Sequence, residues 1–215
     1  MTVGIVGLGL IGGSMAKSIK ARTAHTVFGC DLDQETMMMA RMCGAIDAPL
    51  TAENLKECDL VLVAIRPAAA VKWVKEHAEG IRRDAILVDL CGVKRAVVRE
   101  LAPVAEQYSF AYIGGHPMAV SEKTGLANAR EFLLENAYYI LTPTAQTDPA
   151  ALEDFKELVA SLGAIPMVLD YEQHDYATAA ISHLPHIIAY SLVNLVKSCD
   201  DCEGTMKTIA AGGFK

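Results

Sequence analysis

Residues 7–14 read Gly7-Leu8-Gly9-Leu10-Ile11-Gly12-Gly13-Ser14, and they directly follow an apolar strand candidate at residues 2–6. In such a turn the first glycine makes the tight bend, the second lets a pyrophosphate approach the backbone, and the third lets helix and strand pack closely. The N-terminus of the following helix offers N–H groups to the phosphates. We therefore expect residues 7–12 to contact a dinucleotide. The alternative is a glycine-rich turn without functional consequence.

An acidic residue stands at the distance that such a site requires. Asp31 ends the second strand candidate, residues 25–31, and follows Gly12 by 19 residues. A carboxylate there can accept hydrogen bonds from both ribose hydroxyls and would repel a 2′-phosphate, which favours NAD over NADP. The alternative is a solvated carboxylate at the end of a strand.

Strand and helix candidates alternate along the next part of the chain, and this order predicts parallel strands joined by right-handed crossovers. The expected fold is an α/β, Rossmann-like, doubly wound and mostly parallel sheet, followed by an all-helical C-terminal segment. A methionine cluster, Met37–Met39 with Met42, is interpreted as a helix side that faces the core. Further strand candidates are residues 59–65, 85–90, 110–114 and 137–141; helix candidates are 34–43, 94–107, 149–162 and a helix opened by Pro67.

The pattern changes near residue 170. Residues 171–197 show no strand signal and carry apolar residues at helical spacing, which predicts one long helix or a pair broken at Pro185. A helix that is apolar all round needs a cover, so we expect a homodimer formed through these C-terminal helices. The predicted domains are an NAD-binding domain at 1–170 and, at 171–215, the start of a helical dimerisation and substrate domain that reads as truncated.

Composition and charge exclude several functions. The chain has 215 residues, 26 acidic and 19 basic, so its net charge of −7 and lack of a basic stripe argue against nucleic acid. Polar residues interrupt the apolar stretch 177–196, so no membrane span is expected. The absence of a signal sequence and six scattered cysteines predict a cytoplasmic location. The pair Cys199 and Cys202 has no second ligand pair, so no metal site is expected.

Histidines supply the candidate chemistry. His116 follows Gly114-Gly115 at the end of a strand candidate, where ligands bind in a doubly wound sheet. A neutral histidine there can take a proton from an alcohol of a small-molecule substrate while a hydride leaves the same carbon. Ser182 and His186 would share a helix face at i and i+4. For each histidine, and for His174 and His183 as well, a purely structural role is the alternative.

These motifs resemble the prephenate dehydrogenases and the related arogenate dehydrogenases of tyrosine biosynthesis. The resemblance extends over essentially the whole chain. It implies oxidative decarboxylation of prephenate to 4-hydroxyphenylpyruvate with NAD, and arogenate is the alternative substrate. The segments that carry the resemblance are Gly7-x-Gly-x-x-Gly-Gly-Ser14, Asp89-x-x-x-Val93-Lys94, His116-Pro-Met-Ala, Asn136-Ala-Tyr-Tyr-Ile-Leu-Thr-Pro143, His174-Asp175, Ser182-His-Leu-Pro-His186 and Gly212-Gly-Phe214.

The resemblance also implies roles for single residues. His116 is the catalytic base for the ring hydroxyl, and Ser182 contacts the nicotinamide side of the cofactor. Lys94 and Arg95 could attract an anionic substrate from the edge of the site, although exposed basic residues are ordinary. The implied substrate-binding residues are Ser121, Glu122, His186, Gly212 and Lys215.

The sequence departs from the family at three points. The family has Gly-Ser before Val-Lys, with the serine touching the catalytic histidine, whereas Cys91-Gly92 stand here. Val120 replaces a glycine after His-Pro-Met-Ala. The chain also stops at Lys215, before a segment whose arginine grips the substrate carboxylate. The second hypothesis is therefore a protein that binds NAD with little turnover.

Overall fold

The computed structural model describes residues 1–119, 123–201 and 203–210 of the chain. It divides into two compact units, Met1–His174 and Asp175–Lys215. The domain boundary that the sequence predicts after residue 170 stays a prediction.

One sheet of eight strands forms the centre of the first unit, in the order β3-β2-β1-β4-β5-β6-β7-β8. The strand order reverses between β1 and β4, so the crevice at their carboxyl ends is the switch point where ligands bind in such sheets. This confirms the Rossmann-like fold. The strands are β1 Thr2–Val6, β2 Thr26–Cys30, β3 Ala48–Pro49, β4 Leu60–Val63, β5 Ile86–Asp89, β6 Ala111–Pro117, β7 Tyr138–Pro143 and β8 Ile165–Val168.

Helices cover both faces of this sheet, because successive strand residues point to opposite sides. In β4, Leu60 and Leu62 join the core under α1 and α5, whereas Val61 and Val63 join the core under α3 and α4. The helices are α1 Leu10–Arg22, α2 Gln34–Met42, α3 Pro67–His77, α4 Arg95–Tyr108, α5 Pro149–Ser161, α6 Tyr171–Thr178, α7 Leu184–Cys199 and α8 Thr205–Ile209, with a π-helical turn at Ala179–His183.

The far side of the sheet differs from the expected parallel alternation. β7 pairs antiparallel with β6, and β8 pairs parallel with β7. The described part of the β6–β7 connection contains a single short turn of 3-10 helix, Leu126–Asn128, so there is no α-helical crossover to bring β7 back parallel. The strand β8 was not predicted from the sequence, because it is a mostly exposed edge strand that contains Pro166.

The methionine prediction was wrong for three of its four residues. Met38, Met39 and Met42 are exposed, and Met37 alone packs partly against the core. The reason is that α2 buries only Ala40 fully, so its contact with the core is shallow.

The C-terminal helices expose most of their apolar residues. Pro185 lies in the first turn of α7, directly after the π-helical turn. The helix is therefore continuous at this proline, and the irregularity is the wider π-helical turn before it. Judged by length and composition only, the helical stretch Tyr171–Cys199 could cross a membrane. A helix covered by a partner protein has the same composition, and the absence of a membrane span stays a prediction.

Candidate nucleotide and catalytic site

The glycine-rich turn has the geometry of an anion cradle. Gly7 has φ +88°, and a Cβ there would lie 2.7 Å from the carbonyl oxygen of Ala64. A Cβ at Gly12 would lie 1.9 Å from the carbonyl oxygen of Gly7, so helix α1 can approach β1 only without a side chain there. Nothing lies within 4 Å of a Cβ built at Gly9, which leaves that side open for a pyrophosphate.

The first turn of α1 offers N–H groups to a ligand. Its N-cap is Gly9, which has no side chain to accept a hydrogen bond from these N–H groups, and the first turn contains no acidic residue. The backbone N–H groups of Leu10, Ile11 and Gly12 precede the first intrahelical donor, Gly13, which bonds to Gly9. These groups fit a phosphate at the positive end of the helix dipole.

Asp31 is fixed next to this turn. Its Oδ2 accepts a hydrogen bond from the backbone N–H of Leu8 at 2.8 Å, and its Oδ1 accepts one from Asp33 N at 3.0 Å. The side chain of Leu8 is fully buried in the core. A cavity of about 670 Å³ opens beside Asp31, lined by Gly7, Gly9, Leu32, Arg66 and Trp73 among others. Its one strand-end carboxylate and its mostly apolar walls fit an adenosine with a free ribose.

His116 lies on the same edge of the sheet, inside β6. Asp89 at the end of β5 pairs with Gly114, and β6 then continues beyond β5, with His116 opposite Ile140 of β7. The imidazole therefore stands past the carboxyl end of β5. The predicted end of this strand at residue 114 was wrong, because the antiparallel partner β7 extends the ladder to Pro117.

The two glycines before His116 are there for packing between strands. A Cβ at Gly114 would lie 2.2 Å from Oγ1 of Thr142, and one at Gly115 would lie 2.9 Å from the carbonyl oxygen of Asp89. Both glycines are buried within the strand. The absence of a side chain at these two positions therefore allows close contact with β5 and β7.

The partner of His116 is His174, for which the sequence leaves both a structural and a functional role open. Nδ1 of His116 lies 2.8 Å from Nε2 of His174, and the two rings meet edge to face at 72°. His174 is buried, with 1% of its surface exposed, whereas His116 is half-buried. The motif His174-Asp175 was the available signal, but nothing in it identifies a contact with a residue 58 positions away.

A buried ion pair supports the strand that carries His116. Nζ of Lys94 donates to Oδ1 of Asp89 at 2.5 Å and to the carbonyl oxygen of Gly115 at 2.6 Å. The hydroxyl of Tyr112 donates to Oδ2 of Asp89, and burial together with that carboxylate raises the pKa of Tyr112 well above its ordinary value. Neither Lys94 nor Asp89 is exposed. The prediction that Lys94 could attract an anionic substrate from the edge of the site was therefore wrong, because its ammonium group is buried against Asp89.

The loop between Asp89 and Lys94 contacts the other edge of the imidazole. A Cβ built at Gly92 would lie 3.6 Å from Nε2 of His116, an ordinary contact distance. The neighbouring Cys91 is buried, and burial beside Asp89 raises the pKa of its thiol to about 12. Since the thiolate is the reactive form, Cys91 is chemically inert at neutral pH.

The remaining predicted site residues lie in the second unit or outside the described residues. Ser182 belongs to the π-helical turn, and His186 lies on α7 with its Nδ1 2.7 Å from the carbonyl oxygen of Ser182. Because a carbonyl only accepts, Nδ1 of His186 carries the proton and its Nε2 is the acceptor in the neutral ring. Outside the described residues lie Val120, Ser121, Glu122, Gly212 and Lys215.

Comparisons with known families match the chain along its length. The model of the prephenate dehydrogenase nucleotide-binding domain matches residues 15–168, and that of the prephenate dehydrogenase dimerization domain matches residues 170–215. The prephenate dehydrogenase of Bacillus subtilis is 38% identical over 218 residues. That alignment covers 100% of this chain and 58% of the relative, so the chain spans under two thirds of that length.

Solved structures agree with these matches. A prephenate dehydrogenase from Aquifex aeolicus, in complex with hydroxyphenyl propionate and NAD+, is 30% identical with a TM-score of 0.88; the match covers 100% of this chain and 75% of that chain. An arogenate dehydrogenase from Synechocystis is 29% identical with a TM-score of 0.85, over 100% of this chain and 76% of that one.

Proposed function

The chain belongs to the prephenate dehydrogenase family, and from that premise we propose that it carries the NAD site and the catalytic base of an enzyme that converts prephenate to 4-hydroxyphenylpyruvate. The observation that carries the proposal is the position of His116. Its imidazole stands beyond the carboxyl end of β5, on the sheet edge where the glycine-rich turn and Asp31 lie. A dinucleotide with its adenosine at Asp31 would extend along this edge toward β6.

The residues of the turn fit NAD. The N–H groups at the start of α1 would hold the pyrophosphate, and Asp31, fixed beside this turn, would accept hydrogen bonds from the ribose hydroxyls. When bound, NAD accepts the hydride that leaves the ring carbon of the substrate. The acid at this position is the reason that we propose NAD rather than NADP.

The chain's own part in the chemistry is proton transfer and positioning. Nε2 of His116 takes the proton of the ring hydroxyl as the C–H bond at that carbon breaks. The bond to the ring carboxylate then breaks, carbon dioxide leaves, and its electron pair makes the ring aromatic. The proton held by His116 returns to the ring oxygen, so the overall reaction releases none. The pocket mainly has to hold the substrate in the reactive orientation.

The substrate-binding residues remain part of the proposal. Ser182 is proposed to contact the cofactor and His186 the substrate, with Nε2 of His186 available as an acceptor. The resemblance adds to these Ser121, Glu122, Gly212 and Lys215. Prephenate and arogenate differ in a keto or an amino group on the side chain, and the similarity to the Synechocystis arogenate dehydrogenase makes arogenate the second candidate substrate. Rates on the two compounds decide between them.

We further propose a cytoplasmic homodimer that assembles through the C-terminal helices. Apolar side chains of α7, among them Leu184, Ile188 and Leu195, are exposed in the single chain. The match of residues 170–215 to a dimerization domain supports a second copy as their cover. The scattered free cysteines are typical of a reducing compartment.

Replacement of the base tests the function. In the full-length natural chain, His116→Asn should lower kcat with prephenate and NAD by roughly 10²- to 10⁴-fold, because general base catalysis is lost. NAD affinity by calorimetry should stay unchanged. The matched control is His25→Asn, since His25 lies at the opposite end of the sheet, beside the N-terminus. Unchanged turnover in His116→Asn would remove the base from the mechanism. NAD binding by the wild type without product from either substrate would favour the nucleotide-binding hypothesis.

A further inference from the structure

We infer that His174 is a positioning residue, which holds His116 in the tautomer that has its proton on Nδ1 and its lone pair on Nε2. The inference rests on the proposed function, in which Nε2 of His116 is the base, and on the contact between the two rings, in which one must donate and the other accept. The carrying observation is the 2.8 Å contact between Nδ1 of His116 and Nε2 of His174.

Hydrogen-bond chemistry links this contact to the tautomer. A neutral imidazole has one N–H and one lone pair, so in a bonded pair of rings one must donate and the other accept. If Nδ1 of His116 donates to His174, Nε2 of His116 is left as the proton acceptor. In the opposite arrangement Nε2 of His116 would carry a proton and could not act as a base. Nε2 is also the ring atom nearest to Gly92, on the edge away from His174.

The surroundings of His174 keep its ring in place. Its backbone N–H donates to the carbonyl oxygen of Asp170 at 2.8 Å. Oδ1 of Asp170 accepts hydrogen bonds from Glu172 N and Gln173 N and so fixes the start of α6. The imidazole itself is buried, so it is not free to turn toward solvent. Burial of a polar ring costs free energy unless the ring is hydrogen-bonded, whereas an apolar side chain could fill the same space without that cost.

The contact also serves both protonation states of the base. After His116 accepts a proton on Nε2, its Nδ1–H still points at the lone pair of His174, and the hydrogen bond becomes charge-assisted. The ring therefore need not move between the two halves of the reaction. This continuity is what a positioning residue adds beyond packing.

Two amide variants separate positioning from packing. The amide of glutamine reaches the place of the imidazole Nε2, whereas that of asparagine reaches only the place of Nδ1. In His174→Gln the acceptor for His116 is kept; in His174→Asn it is lost. We expect kcat of the full-length chain to fall roughly 10- to 100-fold in His174→Asn. In His174→Gln it should stay within about 3-fold of wild type, with KM for NAD nearly unchanged in both. His25→Gln and His25→Asn are the matched controls, and melting temperatures show that each variant is folded.

The tautomer is measured directly, without turnover, by nitrogen NMR of histidine-labelled protein. The expected result is an Nδ1–H ring at His116 in the wild type and in His174→Gln, and loss of that form in His174→Asn. An Nε2–H ring at His116 in the wild type would overturn the inference, as would the same tautomer in all three proteins or full kcat in a folded His174→Asn. A wild type that turns over neither prephenate nor arogenate contradicts only the proposed function, and the NMR result still decides the role of His174.

Discussion

The ammonium group of Lys94 and the carboxylate of Asp89 form an ion pair in which neither side chain is exposed to solvent. The pair closes the loop that contains Gly92, and Lys94 also binds the carbonyl oxygen of Gly115, the residue before His116. The loop beside the imidazole and the strand residue that precedes His116 are therefore tied to the same buried charge pair. Loss of one partner would leave the other charge buried without its counter-ion.

Lys94→Met should destabilise the fold strongly. The variant keeps an unbranched side chain but removes the ammonium group. The carboxylate of Asp89 then stays buried without its ion-pair partner. We expect the free energy of unfolding to fall by about 3–5 kcal/mol in urea titrations. The control is Lys75→Met, which breaks the exposed pair with Glu100 and should cost less than about 1 kcal/mol. Equal losses in the two variants would mean that the buried pair contributes no more to the free energy of unfolding than an exposed pair does.

Gly92→Ser should raise kcat. A Cβ at position 92 meets Nε2 of His116 at an ordinary contact distance of 3.6 Å, and the backbone there is not left-handed. A serine hydroxyl can therefore reach Nε2 of His116, as the family pattern implies, and its oxygen can accept a hydrogen bond from the imidazolium that forms when the base takes the proton. We expect a gain of roughly 3- to 10-fold in kcat, and no gain in Gly92→Ala, which adds the Cβ without the hydroxyl. A gain in Gly92→Ala of the same size would attribute the effect to packing.

The sequence predicted the features that depend on neighbouring residues. The turn at residues 7–12, Asp31 and the first helices follow from local spacing and chain order. Contacts between distant residues were not predictable in this way. Lys94 looked like a surface cation because its burial depends on β6. The role of His174 stayed open because its partner lies on another element. The strand β7 was predicted at residues 137–141, but its antiparallel direction was not, because nothing local distinguishes the direction of a strand.

Asp31→Ala should change the cofactor preference. A hydrogen bond to a charged group contributes about 1.5–3 kcal/mol, so loss of the bond to one ribose hydroxyl should lower kcat/KM with NAD roughly 10- to 100-fold, and loss of both should lower it further. With NADP it should stay level or rise, because the repulsion of the 2′-phosphate is gone. The control is Asp33→Ala. Asp33 caps α2 through Glu35 N and Thr36 N, so its loss should cost about 1 kcal/mol of stability and leave the NAD/NADP ratio unchanged. A constant ratio in Asp31→Ala would exclude Asp31 from cofactor choice.

Ile188→Asp should weaken self-association. At 100° per residue, Leu184, Ile188 and Leu195 fall on one side of α7, and all three are exposed in the single chain. If a second copy covers this side, a carboxylate at its centre must be desolvated, and sedimentation should show the monomer at concentrations where the wild type is dimeric. Asn194→Asp adds the same charge about 120° around the helix and should leave the dimer intact. An equal shift in both variants would attribute the effect to net charge, and a wild type that is monomeric throughout would contradict the proposed dimer.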